Sequence, residues 1–194
     1  MTSGPELVLA SASPRRSELL LAAGFQYRVA PANVDERVLP DEPPAEYVLR
    51  LACAKAAAVA PAAGRDTVVL GADTIVVLAG EIIGKPCDDA DAARILGRLS
   101  GRCHEVLTGV ALRRGPDVRT ALDRTLVWFD PLEPADIAAM VASGEPRDKA
   151  GAYAIQGLAG RFIPRIEGSY SNVIGLPLAV VSQLWRQILQ PAPR

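Results

Sequence analysis

Short apolar runs alternate with amphipathic stretches along the chain, and their spacing predicts interleaved strands and helices. Leu7-Val8-Leu9-Ala10 is a continuous apolar run of strand length, as expected of a strand buried on both faces. Ser13 then reads as a helix N-cap and Pro14 as the first helical residue, with Leu19, Leu20 and Ala23 as the apolar face and Gly24 as the stop. Gln26 to Ala30 is predicted to be a strand, and a polar, proline-punctuated loop follows from Asn33 to Pro44. Pro44 opens an alanine-rich helix to about Ala60, whose inner stripe runs through Tyr47, Val48, Leu51, Ala52 and Ala58. Gly64-Arg65-Asp66 turns the chain into two β-branched runs, Thr67–Leu70 and Ile75–Leu78, separated by Gly71-Ala72-Asp73. Ala79-Gly80-Glu81 is a hairpin turn returning through Ile82-Ile83. Asp88 to Leu99 is an amphipathic helix, acidic at its start and carrying Arg94 and Arg98 near its end, with Gly101 beyond it. Two strands at about Glu105–Arg113 and Val118–Phe129 follow, then a helix from Pro134 to Ser143 stopped by Gly144. A glycine-rich stretch from Gly151 to Gly160, a strand at Arg161–Ile166 and a helix from about Pro177 to Leu189 complete the chain. Because several strands are linked as hairpins, the expected class is α/β or α+β with a mixed sheet.

The length, 194 residues, suits a single domain over residues 1–194, or one domain with two lobes around a cleft. The 21 basic and 22 acidic residues nearly cancel to a net charge of −1. No general field attracts nucleic acid or an anionic membrane, so neither is expected as a partner and basic residues must act locally. Cys53, Cys87 and Cys103 are odd in number and lack CxxC spacing, which argues against a disulfide framework or structural zinc and fits a reducing cytosol. No apolar run is long enough to span a bilayer. Met1 to Glu6 lacks the basic and apolar regions of a signal peptide, and Gln190 to Arg194 reads as a short proline-containing tail.

Within this frame, several polar residues stand where a bland fold would not place them. Arg15 and Arg16 fall in the first turn of the predicted helix, where a cation is disfavoured by about 0.3–1 kcal/mol. An anion bound by the helix tip, the guanidinium groups and the hydroxyls of Ser11 and Ser13 would remove that conflict, which favours a phosphate site over two solvated arginines. Asp73 interrupts an apolar run; it is either a compensated carboxylate suited to metal binding or proton abstraction, or a turn aspartate bonding its own backbone. Thr74 beside it offers a hydroxyl. Lys55, four residues after Leu51, falls on the inner helical stripe, so its ammonium either snorkels outward or meets a buried anion. Lys85, in Gly84-Lys85-Pro86, is no P-loop lysine, although a loop lysine there is able to touch a phosphate. Glu36, beside Asp35, is a candidate hard-cation ligand together with Asp73. Gln156 supplies an amide able to read a base edge, and Tyr153 a ring able to stack, from a glycine-rich turn. His104, the only histidine, adjoins Cys103 on a predicted strand, so the two face opposite sides and His104 is expected to be structural.

Taken in order, Ala10–Arg16, Gly71-Ala72-Asp73-Thr74, Gly84-Lys85-Pro86, Thr108-Gly109-Val110, Asp148–Gly157 and Gly168–Pro177 resemble the Maf family of nucleoside triphosphate pyrophosphatases over nearly the whole chain. The resemblance implies hydrolysis between the α and β phosphates to a monophosphate and pyrophosphate. It also implies a divalent cation (magnesium or manganese), a cytoplasmic homodimer, and a fold similar to inosine triphosphate pyrophosphatases: an elongated mixed sheet flanked by helices, with a cleft between two lobes. In family terms Asp73 matches the proton acceptor. Ser11, Arg16, Glu36, Lys55 and Lys85 match residues around the triphosphate and metal, with Glu36 and Asp73 on the metal. Arg15, Thr74 and Gln156 match positions that select the substrate. Ile155-Gln156-Gly157 is similar to the branch acting on dTTP and UTP; alternatives are the 7-methyl-GTP branch, an inosine triphosphate pyrophosphatase, or a nucleotide- or nucleic-acid-binding regulator of septum formation without catalysis.

Overall fold

Leu7–Leu9 forms β1, and its alternation sorts two cores at once. Leu7 and Leu9 join one apolar cluster while Val8 and Ala10 join another, as the period of two demands. In the computed structural model, which describes residues 5–64 and 66–190, β1 lies between two parallel partners, β2 (Tyr27–Val29) and β3 (Val68–Leu78). Between β1 and β2 stands α1 (Pro14–Ala22), and between β2 and β3 stands α2 (Pro44–Ala63), which runs through Pro61 instead of ending near Ala60. Residue 65 of the expected turn, residues 1–4 of the N-terminal segment and residues 191–194 of the expected tail lie outside the described residues.

β3 hairpins into β4 (Glu81–Ile83) across Ala79 and Gly80, both at positive φ (51° and 84°), the left-handed pair a two-residue hairpin requires. Next come α3 (Asp89–Leu99), capped by the Asp88 side chain, β5 (Cys103–Arg114), β6 (Asp117–Trp128) and α4 (Pro134–Ala142). The chain ends through β7 (Arg165–Glu167), α5 (Tyr170–Ile174) and α6 (Leu178–Leu189). The sheet has seven strands in the order β2-β1-β3-β5-β6-β7, with β4 also on β3. It is mixed, with parallel pairs at β1 and antiparallel pairs at β3–β4 and β6–β7. The fold class is thus the expected α/β arrangement.

Two local expectations are corrected. The runs 67–70 and 75–78 are one eleven-residue strand, and Asp73 lies inside it, so the turn-aspartate reading falls. The predicted strand at 161–166 is instead a 3-10 helix over Leu158–Phe162 followed by the short β7.

The chain divides into two compact units. The first comprises Met1–Asp73, Thr108–Asp123 and Gly175–Arg194. Its core has two parts. Leu7, Leu9, Leu20, Val68, Leu70, Ala72, Val110 and Leu112 pack with Val181, Leu184 and Ile188 of α6. Val8, Val69 and Ala111 pack with Ala52, Ala56 and Val59 of α2. The second unit comprises Thr74–Leu107 and Arg124–Ile174, with a core that includes Val76, Leu96, Leu99, Val127, Phe129, Met140 and Tyr153.

Candidate active site

Within the first unit, the alternation of β3 decides where Asp73 goes. Val69 packs on the α2 side, so Gly71 and Asp73, two and four residues on, share that face. Gly71 is the reason the helix comes close. A Cβ there would lie 2.1 Å from the Ala52 carbonyl oxygen and 2.8 Å from the Ala56 nitrogen. Gly109 makes a second slot on β5, where a Cβ would lie 2.4 Å from the Val48 carbonyl oxygen. The backbone of α2 therefore rests directly on the sheet, and Lys55, between Ala52 and Ala56, is brought to Asp73. Lys55 Nζ donates to Asp73 Oδ1 at 2.6 Å, and both residues are 8% exposed.

The same ammonium meets Glu36 Oε1 at 2.7 Å. Glu36 comes from the loop after β2, where no helix or strand fixes the chain, and α2 does so with its own side chains. The Tyr47 hydroxyl donates to the Glu36 carbonyl (2.8 Å), and Arg50 Nη2 donates to the Arg37 carbonyl (3.0 Å) and to Glu42 Oε2 (2.7 Å). Burial first, then the charges of Asp73 and Glu36, push the Tyr47 hydroxyl up to about 12, so it remains a donor. Tyr47 and Arg50 were not singled out for chemistry. The available signal was a tyrosine on an otherwise aliphatic stripe, since a buried tyrosine hydroxyl needs a partner.

Arg16 completes the cluster. It is 9% exposed in the first turn of α1; its Nε donates to the Gly175 carbonyl (2.9 Å) and its Nη1 to Ser11 Oγ (3.1 Å). Burial lowers its pKa, and the negative charges of Asp73 and Glu36 pull the other way. The misplaced cation is thus compensated partly by the protein's own carboxylates. Ser13 occupies the N-cap without a side-chain cap bond; its N–H donates to Ser11 Oγ at 3.2 Å. Arg15 is half-buried, and its charge acts on Arg16.

Ser11, Arg15, Arg16, Glu36, Lys55 and Asp73 thus belong to one neighbourhood of the first unit. Thr74, Lys85 and Gln156 belong to the second. Thr74 is half-buried and has the strand parity of Ala72; Lys85 and Gln156 are exposed, the first after β4 and the second in a turn after Tyr153. The suggested stacking role of Tyr153 is corrected: its ring lies edge-on to His104 and Phe129 in the core, 6% exposed. His104 Nε2 and the Tyr153 hydroxyl share a 2.8 Å hydrogen bond, so the histidine is structural as expected.

The donor set fits a hard divalent cation. Two carboxylates, Glu36 and Asp73, converge on one point where Lys55 now supplies the positive charge. Among the described residues no group of three or more His, Cys, Asp or Glu stands ready to enclose a metal. Carboxylate oxygens are the donor type that magnesium takes alongside waters and the phosphate oxygens of a substrate.

The model of the Maf-like protein family matches residues 6–188. The chain is 54% identical over 192 residues to the dTTP/UTP pyrophosphatase of Anaeromyxobacter sp. (strain Fw109-5), covering 96% of this chain and 91% of that one. It is 55% identical over 176 residues to the dTTP/UTP pyrophosphatase of Hahella chejuensis, covering 89% and 87%. Among solved structures, the Staphylococcus aureus Ham1 protein shares the fold, with a TM-score of 0.51 at 16% identity over 94% of this chain and 99% of that one. Among the described residues no helix is long and apolar enough to cross a membrane.

Proposed function

Since this chain belongs to the Maf-like protein family, we propose that it hydrolyses dTTP and UTP between the α and β phosphates, releasing the monophosphate and pyrophosphate. The observation that carries the reading is the buried Lys55 ammonium held between Asp73 and Glu36 with Arg16 beside them. A triphosphate is several negative charges in search of such a set, and its hydrolysis needs a carboxylate base near cations.

Asp73 takes the proton of the attacking water. The water oxygen bonds to a phosphorus flanking the α–β bridge, the bridging P–O bond breaks, and its electron pair leaves on the bridging oxygen. Lys55 aims the Asp73 carboxylate through Oδ1, and Arg16, held by Gly175 and Ser11, spreads charge over the phosphate oxygens. Lys85, in the second unit, is by the family motif a phosphate-binding residue. Glu36 and Asp73 would hold magnesium or manganese, which when bound polarises phosphate oxygens and lowers the pKa of water. By the same motif Arg15 of the first unit and Thr74 and Gln156 of the second are the positions that choose the base. The protein acts as a cytoplasmic homodimer, a state that light scattering reads directly.

A panel of nucleotides with magnesium, assayed for pyrophosphate, tests the proposal. Pyrophosphate from dTTP and UTP is expected, lost on chelation and restored by magnesium or manganese. Release of single phosphate, faster turnover of 7-methyl-GTP or ITP, or full activity in chelator contradicts it.

A further inference from the structure

In the second unit, the chain after α4 folds back around one carboxylate. The Glu145 N–H donates to Ser143 Oγ (3.1 Å), which anchors the residue to the end of the helix. Its Oε1 accepts the Ala154 N–H (3.2 Å) and its Oε2 accepts the Leu158 N–H (2.8 Å). Ala154 and Leu158 bracket a turn closed by the Gly157 N–H to the Ala154 carbonyl (3.1 Å), with Ile155 and Gln156 at its centre. The carboxylate fills the space a side chain at Gly157 would need: a Cβ there would lie 1.9 Å from Glu145 Oε2. A second constraint follows at Gly160, whose Cβ would lie 2.5 Å from the Ile155 carbonyl oxygen. Gln156 stands exposed on this turn, and the carboxylate of Glu145 ties together the backbone on either side of it.

We propose that Glu145 is the positioning residue for base selection: its carboxylate clamps the turn that aims Gln156. The proposal rests on the assignment of Gln156 to base choice made above. A glutamine amide discriminates through one donor and one acceptor, so its orientation carries the selectivity. Charge-assisted bonds to a carboxylate are about twice as strong as neutral ones, which explains why an acidic residue and not an amide does the clamping. Glycine at 157 is required by the clamp itself.

Glu145→Gln keeps the shape but sets an NH2 group against one of the two N–H donors. Its kcat/KM for dTTP is expected to fall about tenfold or more, mainly through KM, while that for a disfavoured purine triphosphate changes by less than about twofold. Gly157→Ala displaces the carboxylate from the other side and narrows the preference in the same way. Because both acts pass through Gln156, Glu145→Gln on a Gln156→Ala background adds little. Equal losses for every nucleotide, or full additivity with Gln156→Ala, overturns the proposal. Equilibrium binding of dTMP and a purine monophosphate separates it from the pyrophosphatase reading. Wild-type protein that prefers dTMP yet releases no pyrophosphate overturns that reading alone, and the clamp then stands or falls on whether Glu145→Gln erases the binding preference.

Discussion

Asp73 and Lys55 are each nearly withdrawn from water, so neither tolerates losing the other without a cost that depends on which is removed. Asp73→Asn leaves an oxygen to accept from Lys55, and Glu36 remains on the same ammonium. Folding stability should therefore change little, while turnover falls about 10²–10⁴-fold as the base is lost, checked by steady-state kinetics beside a thermal melt. Lys55→Met is the harsher change, because it strands the buried Asp73 carboxylate, while Glu36, its side chain 48% exposed, keeps its water. A loss of about 3 kcal/mol is expected in urea unfolding. Adding Asp73→Asn to Lys55→Met should recover part of it, since the stranded charge is gone; a double variant no more stable than Lys55→Met contradicts the pairing. At this scale the sequence was uneven. Lys55 was readable because helical phase placed it on an apolar stripe. The partner of Arg16 was not, since the carbonyl of Gly175 lies 159 residues along the chain.

The approach of α2 to β3 and β5 makes the pair possible, and two glycines permit it. Gly71→Ala would push a methyl group into helix backbone, which has no rotamer to yield. It should cost at least about 1–3 kcal/mol and lower kcat, because a displaced α2 carries Lys55 away from Asp73. Gly97 in α3 is the control: nothing lies within 4 Å of a Cβ there, so Gly97→Ala should stabilise by about 0.4–1 kcal/mol with unchanged kinetics. If Gly71→Ala melts like wild type, the tight seating is wrong. Elements with one wet face were legible: α3 and α6 follow their predicted limits within a residue or two. β3 was not. Its residues are buried on both sides, so alternation vanished into a continuous run and the glycine and aspartate looked like a break. The segment 158–167 failed for another reason: a 3-10 helix as short as Leu158–Phe162 is too brief to show a periodic signature.

For the molecule as a whole, acid stability has an unusual simplicity, because the 194 residues contain one histidine. His104 is enclosed in the second unit with Phe129 and Tyr153 around it, and burial lowers its pKa from 6.5 to about 4. The sign is settled by proton uptake. Between pH 6.5 and about 4 the unfolded chain binds a proton at this residue and the folded chain does not. Its contribution is therefore present above 6.5 and lost as pH falls toward 4, amounting to roughly 3 kcal/mol. That is a large share of a typical total of about 5–15 kcal/mol. Below about pH 5 a second decline begins, as Glu42, Glu81 and Asp91, lowered by their arginine partners, and Asp35, held down to about 2 by Arg37, are protonated. Urea unfolding at pH 7, 6 and 5.5 isolates the first phase, and a measurement at pH 3.5 adds the second. Wild-type stability should fall across that series. His104→Gln should start lower, since the ring's packing is lost, yet stay nearly flat from pH 7 to 5.5, where histidine is the side chain whose ordinary pKa brings a change of charge. An equal slope in the variant would mean that the mild-acid sensitivity originates elsewhere, and that the buried ring takes up its proton without unfolding the unit that holds it.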